Sequence, residues 1–293
     1  MGFNLDEERK KWELTDEEFE ANMDEIFVEL SLCAKKTEKP TFIFVGGQAG
    51  SGKSALVARE HQDLGINAII IDQDELRTKY PEEKYKQIHD NCTEREEFLA
   101  LKPYISKAIL ALKDRAKNCG YNIILESALR SVSSFIGVTQ ELREEGYTTK
   151  LSVLAVPEVE GNISMLTRYC YYLEKDGECR RNTRLDHSAV ESLRTNIERL
   201  DDLGIFDDIT VSIRGKEMDS LPIQTYSKSI NTEMTPLQAY DAGTIRSLND
   251  TIRNFDIRYE KIRKVLSEHN ELEQLEKLEE IRKAFEKEKG EAR

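Results

Sequence analysis

An α/β fold, a mostly parallel sheet covered by helices with a long C-terminal helical extension, is what this chain predicts, and three observations carry it. Short apolar runs alternate with helical segments between Thr41 and Ile213, the pattern of repeated β-α-β units. The first run, Thr41-Phe42-Ile43-Phe44-Val45, leads directly into Gly46-Gly47-Gln48-Ala49-Gly50-Ser51-Gly52-Lys53-Ser54. From Thr244 onward the apolar residues recur at alternating spacings of four and three, a coiled-coil-like seam.

Bulk composition narrows the class. With 293 residues the chain can form one large α/β domain plus an extension, or two domains. Hydrophobic residues make up 39% and charged residues 34%, so much of the charge must sit on solvated helices. The net charge of −13 repels polynucleotides, which argues against a nucleic-acid partner. Five cysteines (Cys33, Cys92, Cys119, Cys170, Cys179) are scattered and contain no C-x-x-C pair, the usage of reduced thiols rather than of disulfides or zinc. Without a run of membrane-spanning length or a secretory apolar region, the expectation is a cytoplasmic protein with no membrane partner. Met1-Gly2 opens like a myristoylation signal, but Asp6 stands where Ser or Thr is required.

Element by element, residues 1–37 form a helical segment. Thr15 to Glu18 is a capping box, Leu14 and Phe19 suit a hydrophobic staple, and Phe19, Met23, Phe27 and Leu30 share one face that must pack on the body or a partner. Lys35 to Pro40 is a polar link into the main domain, 38–215. Strands are expected at Phe42–Val45, Ala68–Asp72, Asn122–Glu126, Lys150–Val156 and Asp208–Ile213, and helices around 53–64, 103–117, 134–145, 158–174 and 187–203. Ligands of such a sheet bind at the carboxyl ends of its strands. The polar, proline-containing stretch 216–243 reads as a linker. Residues 244–293 read as one helical arm, with Leu248, Ile252, Phe255, Tyr259, Ile262, Leu266 and His269 along its seam. The arm either binds a partner or folds back on itself or the body.

The glycine-rich stretch carries the chemistry. Gly47, Gln48, Ala49, Gly50, Ser51, Gly52, Lys53 and Ser54 match G-x-x-x-x-G-K-[ST], placed as required between a buried strand and a helix. Backbone N–H groups of such a loop close around a polyphosphate at a helix N-terminus. Lys53 then reaches the terminal phosphates of a nucleoside triphosphate and the Ser54 hydroxyl holds a magnesium ion. Ile69-Ile70-Ile71-Asp72-Gln73-Asp74-Glu75 places acids one helix after Lys53. That is the arrangement of a P-loop kinase for small molecules, in which a carboxylate takes the proton of the attacking hydroxyl. Asp74 has the freer reach; Asp72-Gln73-Asp74 equally suits an acidic turn that starts a helix. Glu126 closes the third strand and falls in the same crevice, or caps the next helix. Arg168 lies on a helix, and Arg180, Arg181 and Arg184 on a loop after the fourth strand, placed for a lid that stabilises charge during transfer.

From Leu14 to Ile213 these features, in order, resemble the zeta toxin family, the toxin component of epsilon/zeta-type toxin–antitoxin systems. The resemblance rests on Gly-Gly-Gln-x-Gly-Ser-Gly-Lys-Ser, Ile71-Asp72-Gln73-Asp74, Gly120-Tyr121-Asn122 before Leu125-Glu126, Ala155-Val156-Pro157, Arg168-Tyr169 and the arginine loop before His187. It implies a kinase that phosphorylates the 3′-hydroxyl of UDP-N-acetylglucosamine and so blocks cell-wall synthesis. It also implies Asp74 as general base, Lys53 on the β/γ-phosphates, Arg168 and one of Arg180 or Arg181 on the transferred group, and Glu126 and Arg130 near the substrate or metal. A small helical antitoxin that blocks the ATP pocket is the implied partner, with the Leu14–Leu30 helix beside its surface. Two positions depart from the family pattern. Leu110 stands where a substrate-contacting glutamate is usual, and Ala128 replaces the threonine of Glu-Gly-Thr-x-Arg in Glu126-Ser127-Ala128-Leu129-Arg130. The sugar-nucleotide preference is thereby relaxed, altered or met by other residues. A kinase for a different hydroxyl compound, or a nucleotide-binding interaction protein working through its arm, are the competing readings.

Overall fold

A computed structural model describes residues 10–130, 132–177, 179, 183, 185, 188–215 and 220–291. Six strands form one sheet in the order β2-β3-β1-β4-β5-β6. They are β1 (Thr41–Gly46), β2 (Ile69–Asp72), β3 (Ile123–Ser127), β4 (Thr148–Leu154), β5 (Asp208–Ile213) and β6 (Ile223–Ser227). The first five run parallel; β6 is antiparallel to β5. Central β1 has five consecutive buried residues, Phe42 to Gly46, as a strand covered on both faces must. The sheet is thus the mostly parallel one that the alternating pattern predicts.

The helices are α1 (Asp16–Leu30), α2 (Lys53–Asp63), α3 (Gln73–Thr78), α4 (Glu82–Asn91), α5 (Glu94–Cys119), α6 (Ser133–Glu144), α7 (Glu158–Asp176), α8 (Ser188–Leu203), α9 (Pro236–Glu268) and α10 (Leu272–Glu291). At α1 the Thr15–Glu18 capping box forms, and the apolar face packs on the body through Phe19, whose ring meets Tyr104 of α5 edge-on at 6.0 Å. Two short helices, α3 and α4, fill a stretch in which apolar periodicity is too brief to read. Helix α5 begins at Glu94 rather than near 103, because Thr93 and Glu96 make a second capping box and Pro103 is carried inside the helix.

The expected linker 216–243 requires correction. It contains β6, and α9 already starts at Pro236, behind a capping box of Thr235 and Gln238. Gly243 lies against the sheet so closely that a Cβ there would stand 2.8 Å from the Ala155 Cβ. The helix expected to begin at 244 is therefore, in its first turns, a cover for β5.

Nor is the arm one helix. The chain reverses at Asn270, which adopts φ 57°, and α10 returns along α9. Phe255 and Phe285 stack with ring centroids 3.8 Å apart, and Ile262, Leu266, Leu278 and Ile281 share a buried cluster with Val159, Ile163 and Leu166 of α7. The seam is consumed by the hairpin and by α7, the self-packed alternative among those the spacing left open. No described helix is long and apolar enough to cross a membrane.

Candidate functional site

The carboxyl ends of β1, β2 and β3 come together by register: Val45 and Asp72 both align with Glu126. Each strand thus delivers one part of a crevice.

From β1 comes the glycine-rich loop. Gly50 and Gly52 have φ of 68° and 96°, a backbone that side chains resist, so the turn depends on glycine at both positions. Close approach adds to this, since a Cβ on Gly50 would lie 2.1 Å from the Gly161 carbonyl oxygen at the start of α7. Gln48 is buried and its amide donates to the carbonyls of Val156 and Pro157 at 3.0 and 2.8 Å, tying the loop to the β4–α7 junction. Gly52 precedes α2 and supplies no side-chain cap, which leaves the first-turn N–H groups and the positive helix end for an anion. The fully buried Ser51 Oγ has no hydrogen-bond partner, a polar atom turned inside a loop suited to phosphate. Lys53 Nζ donates to the Gln48 carbonyl at 3.1 Å. Burial pushes the Lys53 ammonium below its ordinary range, opposed by the negative charges of Glu126, Asp74 and Asp72, while Arg168 adds to the depression.

From β2 comes the acidic turn. The strand ends at Asp72, whose Oδ1 accepts from the Asp74 N–H at 2.8 Å and caps α3. The two acids therefore do not continue one strand face. Asp72 is half-buried and works for the backbone, whereas Asp74 sits exposed in the first turn of α3. Desolvation pushes the Asp72 carboxyl up, offset by the N–H bonds it accepts.

From β3 comes Glu126, half-buried. Burial raises its carboxyl to about 7 against the pull of Lys53, and Asp72, Asp74 and Glu75 push it further the same way. The next residues make a strained bend: Leu129 is fully buried with φ 53°, and its side chain occupies the space that a side chain on Gly46 would need. Asn196 of α8 holds this bend, donating to the carbonyls of Leu129 at 2.7 Å and Arg130 at 3.3 Å.

Lys53, Asp72, Asp74, Glu126 and Arg168 are thus gathered within electrostatic reach of one another. Ser54 is exposed on the first turn of α2, and Arg130 is exposed just past β3. Arg180, Arg181, Arg184 and His187 lie outside the described residues. Leu110 is 48% exposed on α5 and makes no demand on the core. Among the described residues no group of three His, Cys, Asp or Glu is arranged to hold a metal alone. The Ser54 hydroxyl at the start of α2 fits magnesium, which takes few protein ligands and otherwise phosphate and water.

Residues 24–225 match the family model described as Zeta toxin. The chain belongs to the zeta toxin family. A relative named Toxin zeta from Streptococcus pyogenes is 29% identical over 233 residues, covering 75% of this chain and 79% of its own. Toxin PezT of Streptococcus pneumoniae serotype 4 is 26% identical over 204 residues, 69% of this chain and 79% of that one. Among solved structures, one from work on the PezAT chromosomal toxin–antitoxin system of Streptococcus pneumoniae superposes with a TM-score of 0.75 at 21% identity, covering 89% of this chain and 99% of that one. A complex of AvrRxo1-ORF1 with AvrRxo1-ORF2, solved with ATP, reaches 0.50 at 15% identity over 81% and 72% of the two chains. These likenesses support the fold of this zeta toxin family member.

Motif reasoning missed Gln48's tether, Asn196 and the carbonyl-binding residues behind the loop. All act on backbone atoms far away in sequence. A buried amide in a helix that is otherwise apolar on that side, as Asn196 is in α8, was the one available signal.

Proposed function

We propose that this protein is an ATP-dependent kinase that transfers the γ-phosphoryl group to a hydroxyl of a small acceptor. The acceptor is the 3′-hydroxyl of UDP-N-acetylglucosamine or a related nucleotide sugar, and the consequence is a cytoplasmic toxin that blocks cell-wall synthesis. The observation carrying this reading is the meeting of Lys53 with Asp74, Asp72 and Glu126 at the mouth of a glycine loop shaped for phosphate.

In that arrangement the exposed Asp74 carboxylate accepts the proton of the acceptor hydroxyl. The freed oxygen attacks the γ-phosphorus, and the bond from that phosphorus to the bridging oxygen of ADP breaks. Lys53, Arg168 and one of Arg180 or Arg181 neutralise the charge spread over the transferring group. Ser54 would hold magnesium, which would supply charge neutralisation on the phosphates. Glu126 and Arg130 border the acceptor.

Purified protein incubated with ATP, magnesium and UDP-N-acetylglucosamine should yield a sugar nucleotide one phosphate heavier. Absence of product across a panel of nucleotide sugars would remove this acceptor. A second reading keeps the chemistry and changes the acceptor; exposed Leu110 and the hydroxyl-free Ala128 favour it, because a sugar site loses strongly when hydrogen-bond partners vanish. A partner antitoxin is proposed on the strength of the similar solved structures, one from a toxin–antitoxin system and one of AvrRxo1-ORF1 with AvrRxo1-ORF2. Co-purification with the product of the neighbouring reading frame tests it. A purely non-catalytic role would be indicated if Lys53→Ala remained as toxic as the unaltered protein.

A further inference from the structure

The outer side of the glycine loop is gripped by an arginine that the catalytic set does not use. Arg214 follows β5 and reaches back to the loop. Its Nε donates to the Ser51 carbonyl at 2.7 Å and its Nη2 to the Gly50 carbonyl. In a planar trans peptide the carbonyl and the following N–H point in opposite directions. A guanidinium holding the Ser51 carbonyl outward therefore turns the Gly52 N–H inward, toward the place where phosphate sits.

Arg214 is itself held. Its Nη1 donates to Glu160 Oε1 and to Ser164 Oγ, the latter at 3.1 Å, both on α7. Glu160 is 6% exposed, a buried carboxylate that needs charged partners. Its second partner comes from the C-terminal arm. Arg258 of α9 donates to the same Glu160 Oε1 at 2.7 Å, to Ser164 Oγ at 2.9 Å and to Thr167 Oγ1 at 3.3 Å. Thr167 is the neighbour of Arg168. One buried carboxylate thus joins two arginines, one fixed to the phosphate loop and the other carried by the arm.

We infer that Arg258, acting through Glu160 and Arg214, is a positioning residue for the phosphate loop, so that the C-terminal helical hairpin sets the affinity for ATP. Removing Arg258 leaves Glu160 with one cation and lets the Arg214 guanidinium shift with it. The loop N–H groups then spend less time in the phosphate-binding arrangement, and ATP binding weakens in proportion to the population lost. The hairpin's apolar contacts with α7 are untouched by this change, so the hairpin stays docked.

This inference rests on the phosphate-loop reading, and the test separates the two. ATP binding is measured calorimetrically, with magnesium present and no acceptor, on the full chain and on Arg258→Ala, Arg258→Lys and Lys53→Ala. Arg258→Ala should weaken ATP binding roughly two- to thirty-fold. Arg258→Lys, able to keep the contact with Glu160 but not the fork onto Ser164 and Thr167, should fall between, and serves alone if the alanine variant does not fold. In turnover the KM for ATP should rise while the KM for the acceptor holds. ATP affinity unchanged in both Arg258 variants, with Lys53→Ala weakened, overturns the inference and leaves the kinase. ATP affinity unchanged in Lys53→Ala overturns the phosphate-loop reading and the inference with it.

Discussion

The glycine-loop side of the crevice and the acidic side, the proposed acceptor side, are built on different principles. The phosphate side is backbone held from behind: glycines with left-handed φ, Gln48 tied to Val156 and Pro157, and Gly161 pressed against Gly50. The acceptor side is made of side chains at element ends, with Asp74 and Arg130 exposed and Glu126 half-buried. A polyphosphate presents the same oxygens whichever base it carries, so a fixed cradle of N–H groups serves it. An acceptor is distinguished by its own hydroxyls, which only replaceable side chains can read. In the proposed reaction the nucleotide half is therefore constrained by packing, and the acceptor half is free to change.

The largest effect that would break this contrast is expected at Asp74. With Asp74 as the proposed base on the exposed side, Asp74→Asn should lower kcat by about 10²–10⁴ while leaving ATP affinity as it was. Retained turnover would remove the base from Asp74. On the phosphate side, Gly161→Ala pushes a methyl to 2.8 Å from the Gln48 amide nitrogen and 2.9 Å from the Ala49 carbonyl. It should weaken ATP binding and lower stability by about 1–3 kcal/mol, the usual cost of overpacking, with the acceptor KM unmoved. Equal losses for both substrates would mean that the two sides are one unit.

Asn196→Ala sharpens the contrast from the other direction. It removes the donor of the buried Leu129 carbonyl and a longer bond to the partly buried Arg130 carbonyl, a loss of roughly 1–2 kcal/mol in thermal unfolding. Because the bend it releases carries Arg130, the acceptor KM should rise more than the KM for ATP. The last test concerns pH. Burial raises the Glu126 carboxyl from an ordinary 4.5 to about 7, so the folded protein without ligand holds a proton that the unfolded chain has released. Stability should therefore fall as pH rises from about 4.5 through about 7. Glu126→Gln should flatten that slope in melting temperatures measured across the window; an unchanged slope would place the ionisation elsewhere.

How much of this was legible in the chain follows the same division. The five parallel strands and the glycine loop were plain, since buried parallel strands are unbroken apolar runs and the loop's glycines have a backbone reason. Asp72 and Asp74 were visible as an acidic pair with Asp74 the freer, but strand tip and helix start share these residues, so the helix-starting turn that makes Asp72 a cap stood as one alternative of two. Strand β6 was lost because Ile223-Gln224-Thr225 is an exposed edge with little apolar signature. The arm's seam was visible and a fold-back was among its readings, but the place of the turn was not: Asn270 at φ 57° interrupts a heptad pattern without a glycine or proline to mark it. Asn196, Arg214 and Glu160 serve carbonyls and charges that only the fold brings near.

The central claim is phosphoryl transfer from ATP to a small hydroxyl acceptor, and an unbiased metabolite extract tests it most directly. Extract is incubated with γ-labelled ATP, magnesium and either the unaltered protein or Asp74→Asn, and soluble metabolites are separated by mass. The account predicts label on a metabolite one phosphate heavier than its precursor, formed by the unaltered protein and almost absent with Asp74→Asn. ATP bound by both proteins but no labelled metabolite from either would contradict it.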